Sequence, residues 1–503
     1  MFSYSKFEHR YTKSIFKHIE PVSSVYRVFV NGEEVPVYTC RISAYPFNGW
    51  ACSHQRDVQQ AEAASYVNLV SDEPLRIEVV SARPYKRIMV KPYSKGVKAE
   101  EKEGRISFTL RENGQYVLEL DSYHHCLYIF NGRPIACRNV QNTAHYFGPG
   151  IHFAGKIVMK SGEKMYVDKD ALVYGCVFAE NAENIEIYGN GILDDSGEER
   201  VSLQCYEDYT NGNLKFYDCK NLKIRGVGMK NSAIWCVNVF HCENVEIDGI
   251  SVFGQWRYNT DGIDIVNSQN VHVKNSFVHS FDDTIVIKGI DRYCDTDNKH
   301  ILVENCVLWC DWGRACEIGL ETSCNEYSDI VFRNCDIVRA GDFACDVQNG
   351  DWAEVHDVLF ENINVEYNRF DTPSVMQTGE NQKYDAKDKV AVPILFAVVN
   401  PRFRELYYDS LFKNLDEPMP VPTGTGYRQA CCHDITLRNV NVYYDEDIPR
   451  TDGKYSVPIL VREYVEGVHF YNLKVENVKI NGRKLTGENA VFMDDAERLV
   501  EIK

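Results

Sequence analysis

A six-residue pattern recurs along this chain and limits what it can fold into. Asn270-Val-His-Val-Lys-Asn275 is followed by His300-Ile-Leu-Val-Glu-Asn305, Asp329-Ile-Val-Phe-Arg-Asn334 and Asp357-Val-Leu-Phe-Glu-Asn362. The pattern returns at Asp434 to Asn439 and at Gly467 to Asn472, and looser copies begin at Asn184, Asn221 and Asn244. Each copy is a short apolar strand that ends on a polar turn residue. The copies recur every 23 to 30 residues through most of the middle of the chain. A fixed period of that size marks a solenoid, in which one unit buries its apolar face only against the next. Strand periodicity without helical periodicity predicts an all-β, right-handed parallel β-helix. Turns would stack about 4.8 Å apart. Asn275, Asn305, Asn334 and Asn362 would form a ladder at one corner, where asparagine tolerates the turn backbone.

Residues 1–135 do not carry the repeat. They hold alternating strands at Tyr26–Val30, Leu75–Val80, Arg105–Leu110 and Gln115–Leu120, with Asn31-Gly32 and Asn113-Gly114 as hairpin turn pairs. This predicts an N-terminal β-sandwich over 1–135 and a β-helix catalytic domain over 136–503. A stretch at about 366–430, with Pro373, Pro393, Pro401 and Pro418, interrupts the repeat and is expected to wall a cleft.

The net charge of −18 argues against nucleic acid or an anionic membrane as partner, and disfavours a polyanionic substrate. No apolar run is long enough to span a membrane. Oligomeric state is not readable. The eighteen cysteines include Cys236, Cys306, Cys316, Cys335 and Cys345 at small-residue positions inside repeats, which suits a reduced interior stack. Cys306 and Cys310 have zinc-like spacing but lack a matching second pair, so no metal and no cofactor is expected. Met1 to Arg10 holds no apolar signal core, which with the cysteines predicts a cytoplasmic protein, or a secreted one if the chain is a trimmed mature form. In a cytoplasm the substrates would be imported oligosaccharides, attacked from a chain end.

One turn breaks the regularity chemically. Asn259-Thr260-Asp261-Gly262 is followed, after nearly one repeat, by Asp282-Asp283. Stacked turns would bring the three carboxylates to one surface. Cleavage of a glycosidic bond needs one carboxyl protonated and a second ionised, and neighbouring acids push their pKa values apart. The plainer reading is that Asp261 caps a turn and Asp282 and Asp283 are solvated corner residues. Asp194-Asp195 and Asp494-Asp495 show that the dipeptide alone says little; the combination at one-turn spacing is far more specific.

These motifs resemble the catalytic signature of the polygalacturonase family of glycoside hydrolases (family 28) and its dextranase-like clan relatives (family 49). The resemblance covers residues 145–365 well. It implies an inverting glycoside hydrolase acting on α-linked sugars, with Asp282 as general acid and Asp261 and Asp283 activating water. The dextranase-like group also carries an N-terminal β-sandwich. The chain departs from the polygalacturonase pattern where a Gly-His-Gly motif is expected: it reads Gly313-Arg314-Ala315, and no Arg-Ile-Lys motif follows at Asp342 to Gln348. A neutral oligo- or polysaccharide is therefore expected. Trp256, Tyr258, Asn259, Lys288, Trp312, Arg314, Glu317 and Glu321 are the candidate substrate contacts; Trp309 and Trp352 also lie near the acid turns, and the plainer reading of the aromatics is packing. A polysaccharide lyase, or a non-catalytic carbohydrate-binding β-helix, are the alternatives.

Overall fold

The computed structural model describes residues 2–6, 22–44, 61–200, 212–367, 394–400, 431–444, 457–463 and 469–503. Most of the 366–430 interruption, and hence the wall expected there, lies outside the described residues.

From His145 onward, 31 described strands pair in one continuous, almost wholly parallel array, in which each strand from Glu186–Gly189 to Glu354–Glu361 bonds to the third strand after it. Three strands therefore make one turn of a parallel β-helix. The site face stacks Val237–Phe240, Ile263–Val266, Ile285–Gly289, Cys316–Thr322 and Phe343–Gln348. The outer face stacks Glu243–Asp248, Gln269–Lys274, Asn298–Glu304, Glu326–Arg333 and Glu354–Glu361. The docking face stacks Ser251–Phe253, Phe277–Ser280, Val307–Cys310 and Asp336–Arg339. Alternate residues of all three faces point inward and fill one core of Val, Ile, Leu and Phe, with Cys219, Cys242, Cys306, Cys316, Cys335 and Cys345 among them. Among the described residues these cysteines are free thiols.

The hexads form the outer face, and both of their ends are turns in left-handed conformation. Asn270, His300, Asp329 and Asp357 open them at φ 51–57°, and Asn275, Asn305, Asn334 and Asn362 close them at φ 53–56°. Asparagine and aspartate tolerate that region better than other residues with a Cβ. The closing residues bond along the stack: Asn334 Nδ2 donates to Asn305 Oδ1 at 3.4 Å, Asn362 to Asn334 at 3.0 Å, Asn439 to Asn362 at 3.1 Å and Asn477 to Asn439 at 2.7 Å. Asn275 departs from the ladder and donates instead to Asp248 at 2.7 Å.

The N-terminal residues form two sheets of six and five strands. Asn31-Gly32 makes the expected hairpin between Tyr26–Val30 and Glu33–Val35. Asn113-Gly114 does not. Arg105–Leu110 belongs to one sheet and Gly114–Leu120 to the other, so this turn carries the chain across. Asn113 Nδ2 is held by the carbonyls of Ser71 and Gly132, which fixes the crossing.

Strand Ser122–Gly132 shows how the sheets meet the solenoid. Leu127 and Ile129 face the second sheet, with Val28, Ile77 and Phe108. Tyr128 and Phe130 face the docking face, with Phe253, Phe277 and Trp309. The period-2 alternation thus serves two cores at once. Charges are buried in this contact too. Lys91 Nζ lies 3.7 Å from Glu119 and 3.2 Å from Glu366, and Arg339 Nη1 donates to Glu119 at 3.2 Å. The Arg339 guanidinium also sits 4.5 Å from the ring centre of Trp309. Burial alone would push the Glu119 carboxyl up, but Lys91 and Arg339 override it and hold it below the ordinary range. Burial drives Glu366 up to about 7 against the pull of Lys91.

Removing one member of such a network leaves its partners buried and uncompensated, which costs about 3–5 kcal/mol. Arg339→Ala is expected to lower the unfolding free energy in urea by that amount. A loss under about 1 kcal/mol, the range of an exposed pair, would mean that the network does not lock the sheets to the solenoid.

Candidate functional site

The acid turns lie at the entry to the site face, where the backbone is locked from turn to turn. Gly262 N–H donates to Asp283 O at 2.8 Å, and Thr284 N–H donates to Arg314 O at 2.9 Å. Three successive turns thereby bring Asp261, Asp282-Asp283 and Arg314 into register. The carboxylates are not solvated corner residues: Asp261 is 1%, Asp282 5% and Asp283 6% exposed.

Lys288 organises them. Its Nζ donates to Asp261 Oδ2 at 2.6 Å and to Asp264 Oδ1 at 2.9 Å, and lies 3.8 Å from Asp283 Oδ2. The indole of Trp235 closes the fourth side, 3.7 Å from its ring centre. Burial opposes the ammonium charge, but Asp261, Asp264 and Glu321 outweigh it and raise the Lys288 pKa well above its ordinary value. Arg314, on the following turn, acts in the same way. Its Nη1 is 3.5 Å from Asp283, and its Nε is 4.0 Å from Glu317 and 3.9 Å from Asp342. Its backbone N–H donates to Asp283 Oδ1 at 3.1 Å.

These neighbours split the acids. Burial, then the charges of Asp283 and Asp261, push Asp282 well above the carboxylate range. Its Oδ2 accepts a hydrogen bond from the Asn259 amide at 3.4 Å. Burial also presses on Asp283, but Arg314 and Lys288 reverse it and hold this carboxyl below its usual value. Burial lifts Asp261 to about 7 against Lys288, and its Oδ1 has no hydrogen-bond partner. One turn surface therefore offers a protonated carboxyl beside an ionised one, which is the pairing that acid/base cleavage uses.

The remaining candidates are placed as follows. Tyr258 is buried, with Trp312 5.4 Å away centre to centre and Phe281 6.4 Å away. Trp312 is half-buried and stacks on Phe281 at 5.7 Å. Trp309 is in the docking core. Trp256 is 7% exposed, with the guanidinium groups of Arg41 and Arg257 each 5.7 Å from its ring centre. Asn259 accepts a hydrogen bond from Arg200 Nη1 at 2.8 Å. Glu317 is buried, bonded by Gln348 at 3.1 Å, and Glu321 is half-buried at the end of the same strand.

Sequence reading missed Asp264, Trp235, Asp346, Arg200 and Gly313. For Asp264 a signal existed: Ile263 and Ile265 point into the core, so Asp264 must point out, in one row with Glu317 and Asp346. Gly313 is missed because a glycine leaves no chemical trace. A Cβ there would stand 2.6 Å from Asp282 Oδ1 and closer still to Asp283 Oδ1. The bare Cα lets the backbone pass against both carboxyls.

The sequence profile of Glycosyl hydrolases family 28 matches residues 141–453. The chain belongs to this family. Residues 141–453 thus form a glycosyl hydrolase family 28 domain, carried on the parallel β-helix. The chain is 24% identical over 221 residues to probable rhamnogalacturonase A of Aspergillus oryzae, covering 41% of this chain and 44% of that one. It is 27% identical over 181 residues to an exopolygalacturonase of Cochliobolus carbonum, covering 33% and 38%. The matches thus span less than half the length of these relatives. Dex49A from Penicillium minioluteum has the same fold over 100% of this chain and 98% of its own, with a TM-score of 0.63 at 12% identity. The expectation of a cytoplasmic protein is corrected by these relatives. The fungal rhamnogalacturonases are secreted enzymes, which points to an extracellular setting. The polar first residues and the free thiols misled because neither is specific to a compartment, and the expectation of short imported substrates falls with the cytoplasmic one.

Gly313→Ala is expected to lower kcat by at least about a hundredfold, the penalty of displacing reacting groups by about 1 Å, and to lower the melting temperature as well, because the added Cβ would also stand 2.8 Å from the Asp283 backbone nitrogen. Circular dichroism and turnover on the same sample check it. Unchanged kcat would show that the two carboxyls need not keep their present places.

Proposed function

We propose that this enzyme hydrolyses α-linked glycans with inversion, Asp282 protonating the leaving oxygen while Asp283 and Asp261 position and deprotonate the attacking water. The observation that carries this is the opposite protonation preference of adjacent carboxyls, Asp282 driven up by burial and its acidic neighbours and Asp283 held down by Arg314 and Lys288. Asp261 offers an oxygen without a partner beside the same turn. Asn259, fixed by Arg200, steadies Asp282.

For the sugar at the acids, a neutral residue is the reading we favour. Among the described residues, Lys288 and Arg314 are the cations paired with these carboxyls, and both are already engaged by acids. A substrate carboxylate would have to displace those pairs. A galacturonate-containing polymer is the second reading, favoured by the relatives named rhamnogalacturonase and exopolygalacturonase and by the arginines Arg41 and Arg257 beside Trp256. Turnover on neutral and uronate α-linked oligosaccharides of equal length separates the two.

Asp282→Asn is expected to cost at least about a hundredfold in kcat, and products of the parent should first appear in the anomeric form opposite to the bond cleaved, by proton NMR. Retained configuration, or near-parental turnover in the variant, would sink the assignment.

The pH dependence follows from the same split. A general acid works only while protonated, so kcat/KM should fall at high pH as Asp282 loses its proton. It should fall as the pH drops through about 7 and Asp261 gains a proton, and again at lower pH as Asp283 gains one. The residual activity of Asp282→Asn should lack the alkaline limb; an unchanged limb would assign it to another group.

A further inference from the structure

Two turns before the catalytic acids, a second set of acidic groups converges where none of the steps above needs it. Cys176, Asp195 and Glu198 each present a ligand atom, and these atoms lie within 4.8 Å of one another. Cys176 and Asp195 are fully buried, and Glu198 is half-buried. The Cys176 thiol points at Glu198 Oε1, 3.9 Å away.

The contrast between Asp194 and Asp195 is informative. Asp194 is satisfied: it pairs with Lys230 at 3.0 Å and accepts the Ser196 N–H at 2.8 Å. Asp195 accepts one backbone N–H, from Ala233 at 3.2 Å, and its Oδ1 has no partner although the residue is 0% exposed. Among the described residues neither Asp195 nor Glu198 is in an ion pair. A buried carboxylate oxygen without a donor is costly, and here it sits beside a thiol and a second carboxylate.

We propose that Cys176, Asp195 and Glu198 form a binding site for a borderline-soft divalent cation of the Zn²⁺ type. A thiolate with two carboxylate oxygens suits such an ion and not Ca²⁺ or Mg²⁺, which take oxygen ligands. Three protein ligands leave a coordination position for solvent. Binding requires the Cys176 thiol proton, and any proton held on the Asp195 and Glu198 carboxyls, to be released to solvent as the sulfur and the carboxylate oxygens take the metal.

The ion would act on the site through the loop that carries two of its ligands. Glu198 O accepts the Arg257 guanidinium at 2.8 Å, and Arg200, two residues on, holds Asn259. Fixing Glu198 would fix both arginines, so occupancy should lower KM more than it alters kcat.

The test is titration of the chelator-dialysed full chain with Co²⁺ and then Zn²⁺. A one-to-one thiolate-to-cobalt absorption band, displaced by Zn²⁺, is expected, with a rise in melting temperature on adding Zn²⁺. Cys176→Ser should abolish the band. Glu198→Gln, at a half-exposed position that folding tolerates, should weaken Co²⁺ binding at least tenfold. Cys431→Ser, which alters a half-exposed thiol elsewhere, should change nothing. Absence of a one-to-one band in the parent, or an undiminished band in both Cys176→Ser and Glu198→Gln, would overturn the proposal.

Discussion

One buried ammonium group sets the state of this site. Lys288 stands on a strand of the site face, enclosed by Asp261, Asp264, Asp283 and the indole of Trp235. Without Lys288 and Arg314, three carboxylates would share a space from which solvent is nearly excluded, and burial would push all of them toward their protonated forms. With Lys288, and with Arg314 on the next turn, one member of the adjacent pair keeps its charge while the other is driven to hold its proton. The chemistry therefore depends less on which acids are present than on how two cations are apportioned between them.

That apportioning also bears on recognition. A lysine at the end of Thr284-Ile-Val-Ile-Lys288 reads in sequence as either a substrate contact or an ordinary strand-end residue. The strand that follows the acid turn carries it among the carboxyls, where it pairs with Asp261 and Asp264. Arg314, at the place where a histidine is expected, is likewise turned toward acids of its own chain: Asp283, Glu317 and Asp342.

Much of the architecture was legible because the solenoid repeats its signal. The hexads with their polar ends announced the outer face, and the Asn-Thr-Asp-Gly and Asp-Asp motifs announced the turns where the acids gather. What stayed hidden is of two kinds. Some residues matter through shape, as Gly313 does, and shape has no periodicity. Others matter through contacts between segments far apart in the chain, such as Arg339 with Glu119 or Arg200 with Asn259. Nothing in one segment foretells the other. The Asn113-Gly114 pair shows the reverse error: a local turn signal is real, but the sheet its strand joins is decided by tertiary pairing.

The asparagine ladder has a consequence for how such a protein can change. Asn362 and Asn439 are separated by 77 residues, yet their side chains bond at 3.1 Å as closely as neighbours a single repeat apart. The ladder closes over whatever lies between its rungs. Each rung donates in the same direction, so any excursion that returns with an asparagine in left-handed conformation restores the row. Loops of very different length can thus be exchanged between rungs without disturbing the frame that aligns the acids. Substrate range in such a scaffold is free to drift by insertion and deletion, while the cleavage machinery is inherited intact.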